Sequence, residues 1–504
     1  RDTQWPLRVG IRNGDSSSSE RSRQLKTPPQ ILITTPESLT LLLCNRKAEE
    51  LFGQLDAVVL DEWHELMGSK RGSQCELCLS WLRQQRPALQ TWAISATIGN
   101  LEQAADHALG LGSEPVIIGG APSRNTEIRS LLPDSIDGFP WAGHLGLRMY
   151  EELVGAMHPA ISTLLFTNTR NQSERWYQCL RFACPEMDGA LALHHSAIDR
   201  SEREAIEAAV KAGDIRWVVC TSSLDLGVDF QPVERVVQIG SPKNLARLLQ
   251  RAGRSAHLPG GTSQVLFMPT NALELLEVSA VRRGLSEGLV EQRKPPQAPL
   301  DVLLQHLTSL ACGPGFEPET TLKAVRSAAA FQDLSTSQWQ WCLRFLEQGG
   351  DCLGAYPNYC KLLRDEDSDR YRISTTTLAR LHRFNIGTIT AAPAITVRFV
   401  RGAVLGHVEE NFISQLKPKD VFFFSGRQLE FVRLRDMTAY VKLSTRKSST
   451  VPAWAGGQMA LSDLLTHHLR HEVARACRGE LDTPELQALQ PLFARQQDLS
   501  MLPQ

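Results

Sequence analysis

The chain has 504 residues, of which 42% are apolar and 22% are charged, and its formal net charge is −1. This apolar fraction excludes an intrinsically disordered chain, and no apolar run approaches the length that crosses a bilayer. Because acidic and basic residues balance, any binding to nucleic acid has to come from local patches of positive charge. The length corresponds to about three domains.

The first half of the sequence alternates short β-branched runs with helical patterns, which predicts parallel sheets joined by crossover helices. Each predicted strand ends in polar or small residues. Since ligands bind at the carboxyl edge of an open α/β sheet, we expect the loops after these strands to carry the chemistry. The predicted strands are residues 30–34, 57–60, 91–94, 163–166, 217–220 and 235–239.

The pattern changes after residue 294. Helices are predicted at residues 301–311, 318–334 and 337–348, the last with Ser335 or Ser337 as its N-cap, and a hairpin at 360–364 and 370–373. Three helices and a hairpin predict a winged helix. A small antiparallel β-module is predicted from short runs at residues 395–400, 404–408, 421–424, 429–435 and 438–443. The predicted domains are residues 1–122, 123–290, 291–390 and 391–504.

Cysteine and histidine clusters give weaker signals. The eleven cysteines are scattered, which is typical of reduced thiols in a cytosolic protein. Cys75 and Cys78 form a Cys-x-x-Cys pair without a matching second pair, so a structural role is favoured over a zinc or redox role. His467, His468 and His471 do not have the His-Glu-x-x-His spacing, and a solvated helical face is favoured for them.

The strongest local motif is Asp61-Glu62-Trp63-His64, directly after the apolar run 57–60. Two adjacent carboxylates at the end of a buried strand suit NTP hydrolysis, because one organises Mg²⁺ on the phosphates and its neighbour polarises the attacking water. An ordinary strand-to-loop Asp-Glu pair is the alternative interpretation of this motif alone. Further motifs lie at other predicted strand ends: Thr35-Pro36-Glu37-Ser38, Ser95-Ala96-Thr97, residues 221–229 and residues 250–254. Their joint occurrence in this order favours two facing RecA-like lobes.

Together these motifs resemble those of the superfamily 2 DExH-box helicases of the Lhr (large helicase-related) type, with the closest likeness to the bacterial ligase-associated DExH-box helicases. The resemblance also rests on residues 61–72, 139–147, 165–170 and 451–457. It implies an α/β fold of two RecA-like lobes, the first of them truncated, followed by a winged helix and the start of a small β-rich domain.

The resemblance also implies roles for residues of the first lobe. Asp61 would hold Mg²⁺ through water, and Glu62 would act as the general base. His64, Ser95 and Thr97 would couple the nucleotide state to the nucleic-acid track. The implied cofactors are therefore ATP and Mg²⁺.

In the second lobe, the resemblance implies that Arg254 is the arginine finger, with Gln250 and Arg251 beside the phosphates. Gly227 and Asp229 would approach the nucleotide from the same lobe. Many relatives carry a further arginine where this chain has His257, which leaves Arg251 and Arg254 to supply the positive charge.

Contacts with the sugar–phosphate backbone of the tracked strand are implied for Thr35, Arg170, His195 and Thr221. Trp454 lies in a glycine-flanked segment, where it could stack on a base of that strand with about 1–3 kcal/mol, or simply pack against the protein. Both interpretations of Trp454 remain open from the sequence.

The dipeptide Gly-Lys occurs nowhere in the sequence, so there is no Gly-x-x-x-x-Gly-Lys-Ser/Thr loop to hold the β- and γ-phosphates. In the family this loop precedes the Asp-Glu-x-His box. The sequence, which also lacks an initiator Met, is therefore interpreted as a fragment without the front of its first lobe and without part of its C-terminal region. We expect the fragment alone to be inactive.

The predicted function is an ATP-dependent DNA helicase or translocase in DNA repair, moving 3′-to-5′ on single-stranded DNA. A non-catalytic nucleic-acid-binding platform and an RNA or RNA:DNA helicase are the alternatives. The implied partners are single-stranded DNA and a DNA or RNA:DNA duplex, and family association adds an ATP-dependent DNA ligase and a repair nuclease. No membrane partner is expected, and the expected location is the bacterial cytoplasm, at the nucleoid.

Overall fold

The chain divides into two compact units in a computed structural model. The first unit is Arg1–Gly119 with Gln292–Thr390, and the second is Gly120–Glu291 with Ala391–Gln504. The structure describes residues 7–119, 126–136, 138–140, 145–225, 233–255, 262–349, 359–365, 368–387, 394–448, 450–452 and 460–500. Within these ranges, every helix is too short or too polar to span a membrane.

The first lobe is built from short parallel strand pairs and six helices. Its strands are β1 (Val9–Arg12), β2 (Ile31–Thr34), β3 (Ala57–Leu60) and β4 (Gln90–Ala93). Its helices are α1 (Ser18–Lys26), α2 (Pro36–Leu43), α3 (Ala48–Phe52), α4 (Trp63–Met67), α5 (Lys70–Gln85) and α6 (Leu101–Leu109). β1 pairs with β2 and β3 with β4, and both pairs are parallel. Val59 and Trp92, partners on β3 and β4, are 56% and 64% exposed, so one face of that pair is uncovered.

The second lobe contains a six-stranded, entirely parallel sheet in the order β5-β10-β9-β6-β8-β7. Its strands are β5 (Thr126–Ser130), β6 (Thr163–Phe166), β7 (Leu191–His194), β8 (Trp217–Cys220), β9 (Arg235–Ile239) and β10 (Ser263–Met268). Its helices are α7 (Tyr150–Ala156), α8 (Arg170–Ala183), α9 (Arg200–Ala212), α10 (Leu245–Ala252) and α11 (Ala272–Ser286). Every residue of β6, β7 and β8 is buried, as expected for parallel strands covered on both faces.

The predicted winged-helix region contains four helices and a two-stranded antiparallel hairpin. Its helices are α12 (Leu300–Cys312), α13 (Pro318–Ser327), α14 (Thr336–Gln348) and α15 (Thr376–Phe384), and its strands are β11 (Leu362–Arg364) and β12 (Tyr371–Ile373). Ser335 caps α14 in a capping box with Gln338. The helix predicted over 318–334 is wrong in its second half, because Ala328 is extended and a separate 3₁₀ turn follows at Ala329–Phe331.

The winged helix and the first lobe share one apolar core, in which Leu307 and Leu310 of α12 are clustered with Leu77 and Trp81 of α5. Polar contacts join the same elements. Glu76, fully buried on α5, accepts hydrogen bonds from the backbone N–H of Ala330 (3.0 Å) and pairs with His107 of α6 (2.8 Å).

The β-module is a five-stranded sheet in the order β14-β13-β17-β16-β15. Its strands are β13 (Ala394–Phe399), β14 (Val404–Glu409), β15 (Val421–Phe424), β16 (Arg427–Arg435) and β17 (Thr438–Leu443), with the short helix α16 (Glu410–Ile413). The prediction of a purely antiparallel module is wrong, because β17 returns beside the non-consecutive strand β13 and runs parallel to it. Two helices follow, α17 (Asp463–Cys477) and α18 (Pro484–Leu499), and pack on α11.

Candidate active site

The Asp61-Glu62 pair lies where β3 ends and α4 begins. Asp61 is exposed, and its Oδ1 accepts a hydrogen bond from the backbone N–H of Glu62 at 3.0 Å. Glu62 adopts a left-handed backbone conformation with φ of 48°, which costs a non-glycine residue about 1–3 kcal/mol. This conformation turns the chain from strand to helix within two residues and leaves both carboxylates at the strand end.

His64 joins the carboxylate pair to the loop after β4. Its ring is buried, with Nδ1 3.0 Å from Ser95 Oγ and 3.5 Å from Glu62 Oε2, and Nε2 3.5 Å from Glu65 Oε1. Burial lowers the pKa of His64, although Glu65 acts in the opposite direction. A neutral imidazole has one donor and one acceptor nitrogen, so Nδ1 and Nε2 bind different kinds of partner. The predicted coupling residues His64 and Ser95 therefore meet, and Thr97 lies buried two residues further along.

Trp63 fixes this loop geometry. Its backbone N–H donates to the carbonyl of Ile94, and its indole Nε1 donates to the carbonyl of Ala104, both at 3.0 Å. The ring is 1% exposed. These bonds hold α4 against the end of β4 and against α6, so the motif after β3 cannot move independently of the motif after β4.

Thr35 has a local structural role at the end of β2. It is the N-cap of α2, and its hydroxyl accepts a hydrogen bond from Ser38 N–H at 3.3 Å. In the same turn Glu37 binds Arg71 of α5 through two hydrogen bonds of 2.6 and 3.2 Å. Burial acts to raise the pKa of Glu37, but the hydrogen bond and charge of Arg71, together with local hydrogen bonds from the backbone and Thr35, lower that pKa overall. The turn containing Thr35 is thus anchored to the helix that follows the carboxylate motif.

Arg251 of α10, which was predicted to lie beside the phosphates, is buried inside the second lobe. Its side chain is 1% exposed, and its Nε and Nη2 bind the Asp225 carboxylate at 2.8 and 3.2 Å. Its Nη1 donates to Gln238 Oε1 at 2.7 Å, and the guanidinium lies over the Phe166 ring, 4.7 Å from its centroid. All of these partners are inside the second lobe, so Arg251 positions its helix.

The candidate finger Arg254 lies just beyond the end of α10 and is half-buried. Its Nη2 and Nε donate to the backbone carbonyl of Asp225 at 2.8 and 3.3 Å. Gln250 is half-buried on the last turn of the same helix. Sequence reasoning assigned no role to Asp225, although a carboxylate soon after β8 and opposite an arginine-rich helix was a usable signal. The predicted nucleotide contacts Gly227 and Asp229 lie outside the described residues.

The predicted strand-contact residues differ in exposure. Arg170 opens α8 and is half-buried, and burial lowers its pKa while the nearby Glu409 acts against that shift. Thr221 follows β8 and is 7% exposed. Trp454 lies outside the described residues.

His195, which was predicted to contact the tracked strand, is buried inside the second unit. Its ring is fully buried, and Nε2 is 3.0 Å from Oε1 of Glu174, which is also fully buried. The same oxygen accepts a hydrogen bond from the backbone N–H of Ser425 at 2.8 Å. His195 therefore belongs to the junction between the second lobe and the β-module.

No group of three or more His, Cys, Asp or Glu side chains in the described part of the chain is placed to hold a metal ion. Cys75 and Cys78 are both buried in α5. Burial raises the pKa of the Cys78 thiol to about 12. Of the three histidines on α17, His467 and His471 are exposed, in line with the predicted solvated face, and His468 is buried.

Three family models match the chain in succession. The DEAD/DEAH box helicase model matches residues 3–104, the helicase conserved C-terminal domain model matches 147–258, and the winged helix domain model of the large helicase-related protein matches 283–451. This order confirms the predicted two RecA-like lobes followed by a winged helix. The last model extends across the β-module as well as the winged helix.

Individual relatives agree with these models. The chain is 32% identical over 463 residues to the ATP-dependent helicase Lhr-Core protein 2 of Thermococcus barophilus, with 90% of this chain and 53% of that protein covered. It is 32% identical over 403 residues to the Lhr helicase/uracil glycosylase of Escherichia coli, with 71% and 26% covered. The chain thus spans about half the length of the Lhr-Core relatives, and less of the longer one.

A solved structure shares the fold over nearly the whole chain. The Mycobacterium smegmatis helicase Lhr, solved with single-stranded DNA and AMP-PNP, matches with a TM-score of 0.72 and 24% identity, covering 98% of this chain and 61% of that one. From its carboxylate and arginine motifs, its three successive family matches and this shared fold, the chain belongs to the Lhr-like helicases of superfamily 2.

Proposed function

We propose that the protein containing this chain is an ATP-dependent helicase or translocase that acts on single-stranded DNA. The observation that carries the proposal is the contact series Glu62–His64–Ser95 at the ends of β3 and β4, beside the exposed Asp61. In this series His64 Nδ1 is hydrogen-bonded to Ser95 Oγ at 3.0 Å and lies 3.5 Å from Glu62 Oε2. Such a series connects a group that can activate water to a neighbouring loop through one buried imidazole. The relatives' names, and the DNA and AMP-PNP bound to the M. smegmatis protein, support the same activity.

The residues at the end of β3 fit a magnesium–nucleotide complex. Asp61 presents a hard carboxylate oxygen at an exposed strand end, which suits a cation that keeps most of its water ligands. Bound Mg²⁺ would neutralise charge on the phosphates. Glu62 would accept a proton from the attacking water, and His64 would hold the Glu62 carboxylate and Ser95 in fixed relation.

In the second unit, Arg254 and Gln250 are the groups proposed to stabilise charge on the transferred phosphoryl group. Asp225 accepts from Arg254 through its backbone carbonyl and binds Arg251 through its carboxylate. We assign Asp225 and Arg251 to positioning of the helix that carries Gln250 and leads to Arg254.

Hydrolysis is proposed for the whole protein. The 504 residues contain no Gly-Lys phosphate loop, so nothing in them supplies the lysine that binds the β- and γ-phosphates in this superfamily. We therefore expect residues 1–504 alone to show no DNA-stimulated ATPase activity.

The finer features of function are proposed from the family resemblance. They are 3′-to-5′ movement, a DNA or RNA:DNA duplex as the unwound substrate, a role in DNA repair, and a bacterial cytoplasmic location at the nucleoid. A DNA ligase and a repair nuclease are the proposed protein partners. A non-catalytic binding platform and an RNA helicase remain the competing functions, and the experiment below separates them.

The test is steady-state ATPase activity of the whole protein with and without single-stranded DNA or RNA. Glu62→Gln keeps the size of the side chain and removes the base, so hydrolysis should fall by at least about 100-fold while DNA and ATP-analogue binding persist. Glu102→Gln, an exposed change in the first turn of α6, is the matched control and should behave as wild type.

DNA-stimulated turnover that survives Glu62→Gln would refute the assigned base. Absence of turnover in the wild-type whole protein would favour the binding platform, and stimulation by RNA alone would favour the RNA helicase.

A further inference from the structure

The segment that leads out of the second unit and into the first has an anchor at each end. Glu291, the last residue of the second unit, is 5% exposed, and Arg293 is the second residue of the first unit's returning segment. Only Gln292, which is exposed, separates them. Each anchor contacts an element of its own unit that carries or adjoins predicted site residues.

Glu291 holds the N-terminal end of α10. Its two carboxylate oxygens accept the backbone N–H groups of Leu245 and Ala246, the latter at 2.8 Å, and the hydroxyl of Ser462 donates to it at 3.0 Å. Asn244 accepts the next N–H of the same helix at 2.7 Å. The first three N–H groups of α10 are therefore all satisfied, and a carboxylate lies at the positive end of the helix dipole. This is the helix that carries Gln250 and leads to Arg254.

Arg293 is held beside the first unit's coupling loop. Asn100, five residues after Ser95, donates from Nδ2 to the carbonyl of Arg293 and accepts the N–H of Arg293 at Oδ1, both at 2.9 Å. The Arg293 guanidinium lies 3.7 Å from Glu65, whose carboxylate faces His64. Burial is the main cause of the lowered pKa of His64; Glu65 acts against it, and Arg293 acts in the same direction as burial.

The two hydrogen bonds between Asn100 and the Arg293 backbone, here called the backbone clamp, use a side chain that could otherwise cap α6. Asn100 occupies the N-cap position of α6, where asparagine is among the most favourable residues, yet its side chain makes no capping hydrogen bond. Both of its amide atoms bond to the backbone of Arg293 instead, and its Nδ2 also donates to the side-chain oxygen of Gln103 at 2.5 Å.

We propose that Glu291 and Arg293 are positioning residues of the ATPase, and that the segment they anchor transmits the nucleotide state from the Glu62–His64–Ser95 series to the arginine-bearing helix. The inference rests on the proposed ATPase function. It predicts that loosening either anchor lowers the turnover number and leaves nucleotide binding in place, since neither residue is assigned a contact with nucleotide.

The experiment measures kcat and KM for ATP in the whole protein, with saturating single-stranded DNA and without DNA. Asn100→Ala removes the backbone clamp, Arg293→Ala removes the contact with Glu65 but leaves the clamp, and Glu291→Gln weakens the hold on α10. We expect Asn100→Ala and Glu291→Gln to lower the DNA-stimulated kcat about tenfold, which is about 1.4 kcal/mol, with KM within about twofold of wild type. Arg293→Lys should restore most of the activity lost in Arg293→Ala, because it keeps a cation near Glu65.

Matched controls lose comparable bonds elsewhere in the same units. Arg326→Ala removes two hydrogen bonds to the Leu334 carbonyl, Ser17→Ala removes the cap of α1, and Glu234→Gln alters a carboxylate that binds Ser162. If the anchor variants match these controls in kcat, or lose activity only in proportion to lost thermal stability, the inference is overturned while the proposed ATPase stands. An inactive wild-type whole protein would instead overturn the proposed function and, with it, this inference.

Discussion

Replacing Arg251 by alanine tests whether this arginine is structural or catalytic. The change removes both hydrogen bonds to the Asp225 carboxylate, the bond to Gln238 and the stacking on Phe166, and leaves the buried Asp225 with the more distant ion pair to Arg247, at 3.6 Å. Breaking a buried ion pair by removing one member costs about 3–5 kcal/mol, and a desolvated cation–π contact adds about 1–2 kcal/mol. We expect Arg251→Ala to destabilise the second unit by about 4 kcal/mol or more.

The measurement is urea unfolding of the whole protein, followed by tryptophan fluorescence and circular dichroism. Trp176 and Trp217 are fully buried in the same lobe and report on its unfolding. With a slope of about 2 kcal/mol per molar urea, a loss of about 4 kcal/mol lowers the midpoint by about 2 M. Arg254→Ala loses hydrogen bonds to one half-buried carbonyl, so its midpoint should fall by about 0.5 M while its ATPase turnover falls by a large factor.

A double-mutant cycle assigns the loss to the ion pair. Asp225→Ala and Arg251→Ala share one interaction, so together they should destabilise much less than the sum of the two single changes. Arg251→Lys should recover only part of the stability, because an ammonium group cannot make the paired hydrogen bonds of a guanidinium. An unchanged urea midpoint for Arg251→Ala, combined with lost hydrolysis, would refute the structural assignment and return Arg251 to the phosphates.

Two further predictions concern other parts of the chain. Glu277 of α11 is 5% exposed, its Oε2 has no hydrogen-bond partner among the described residues, and burial raises its pKa to about 7. Between about pH 4.5 and 7 the folded state then binds more protons than the unfolded state, so the stability of the wild-type protein falls as pH rises through this window. Glu277→Gln should therefore be more stable than wild type at pH 8 by up to about 3 kcal/mol, and no more stable at pH 4. Equal pH profiles of the two proteins in thermal unfolding would contradict this. Trp454→Ala in the whole protein should weaken single-stranded DNA binding by about 1–3 kcal/mol. The slope of log affinity against log salt concentration should not change, because stacking releases no counterions. Equal affinities of wild type and variant in a filter-binding salt series would make Trp454 a packing residue.

The sequence predicted several of the strands that are short apolar runs. Residues 163–166, 217–220 and 235–239 were predicted with the bounds that the structure shows, because buried parallel strands leave a β-branched or aliphatic signal bounded by polar residues. Residues 57–60 were also predicted with the observed bounds, although that strand is only partly buried. β7 (Leu191–His194) was missed, since its Leu-Ala-Leu-His sequence is short and equally compatible with a helix. The parallel pairing of β13 with β17 was also missed, because pairing between distant strands depends on the route of the chain.

The sequence also identified the candidate site residues better than it identified the residues that they contact. It identified the Asp61–Glu62 pair at the end of a strand, and the family resemblance named His64 and Ser95, whose side chains the structure places 3.0 Å apart. It could not show that Arg251 and His195 are buried. Their partners Asp225 and Glu174 lie 26 and 21 residues away, and only the packed structure shows which carboxylate meets which cation or imidazole.

The winged helix and the β-module are each attached to a lobe through a fully buried carboxylate. A carboxylate that is fully buried needs several donors to offset its desolvation, so it fixes every group that donates to it. Glu76 binds His107 of the first lobe and the N–H of Ala330 next to the winged-helix core, and Glu174 binds His195 of the second lobe and the N–H of Ser425 in the β-module. Separating either module would leave a buried carboxylate without one of its donors.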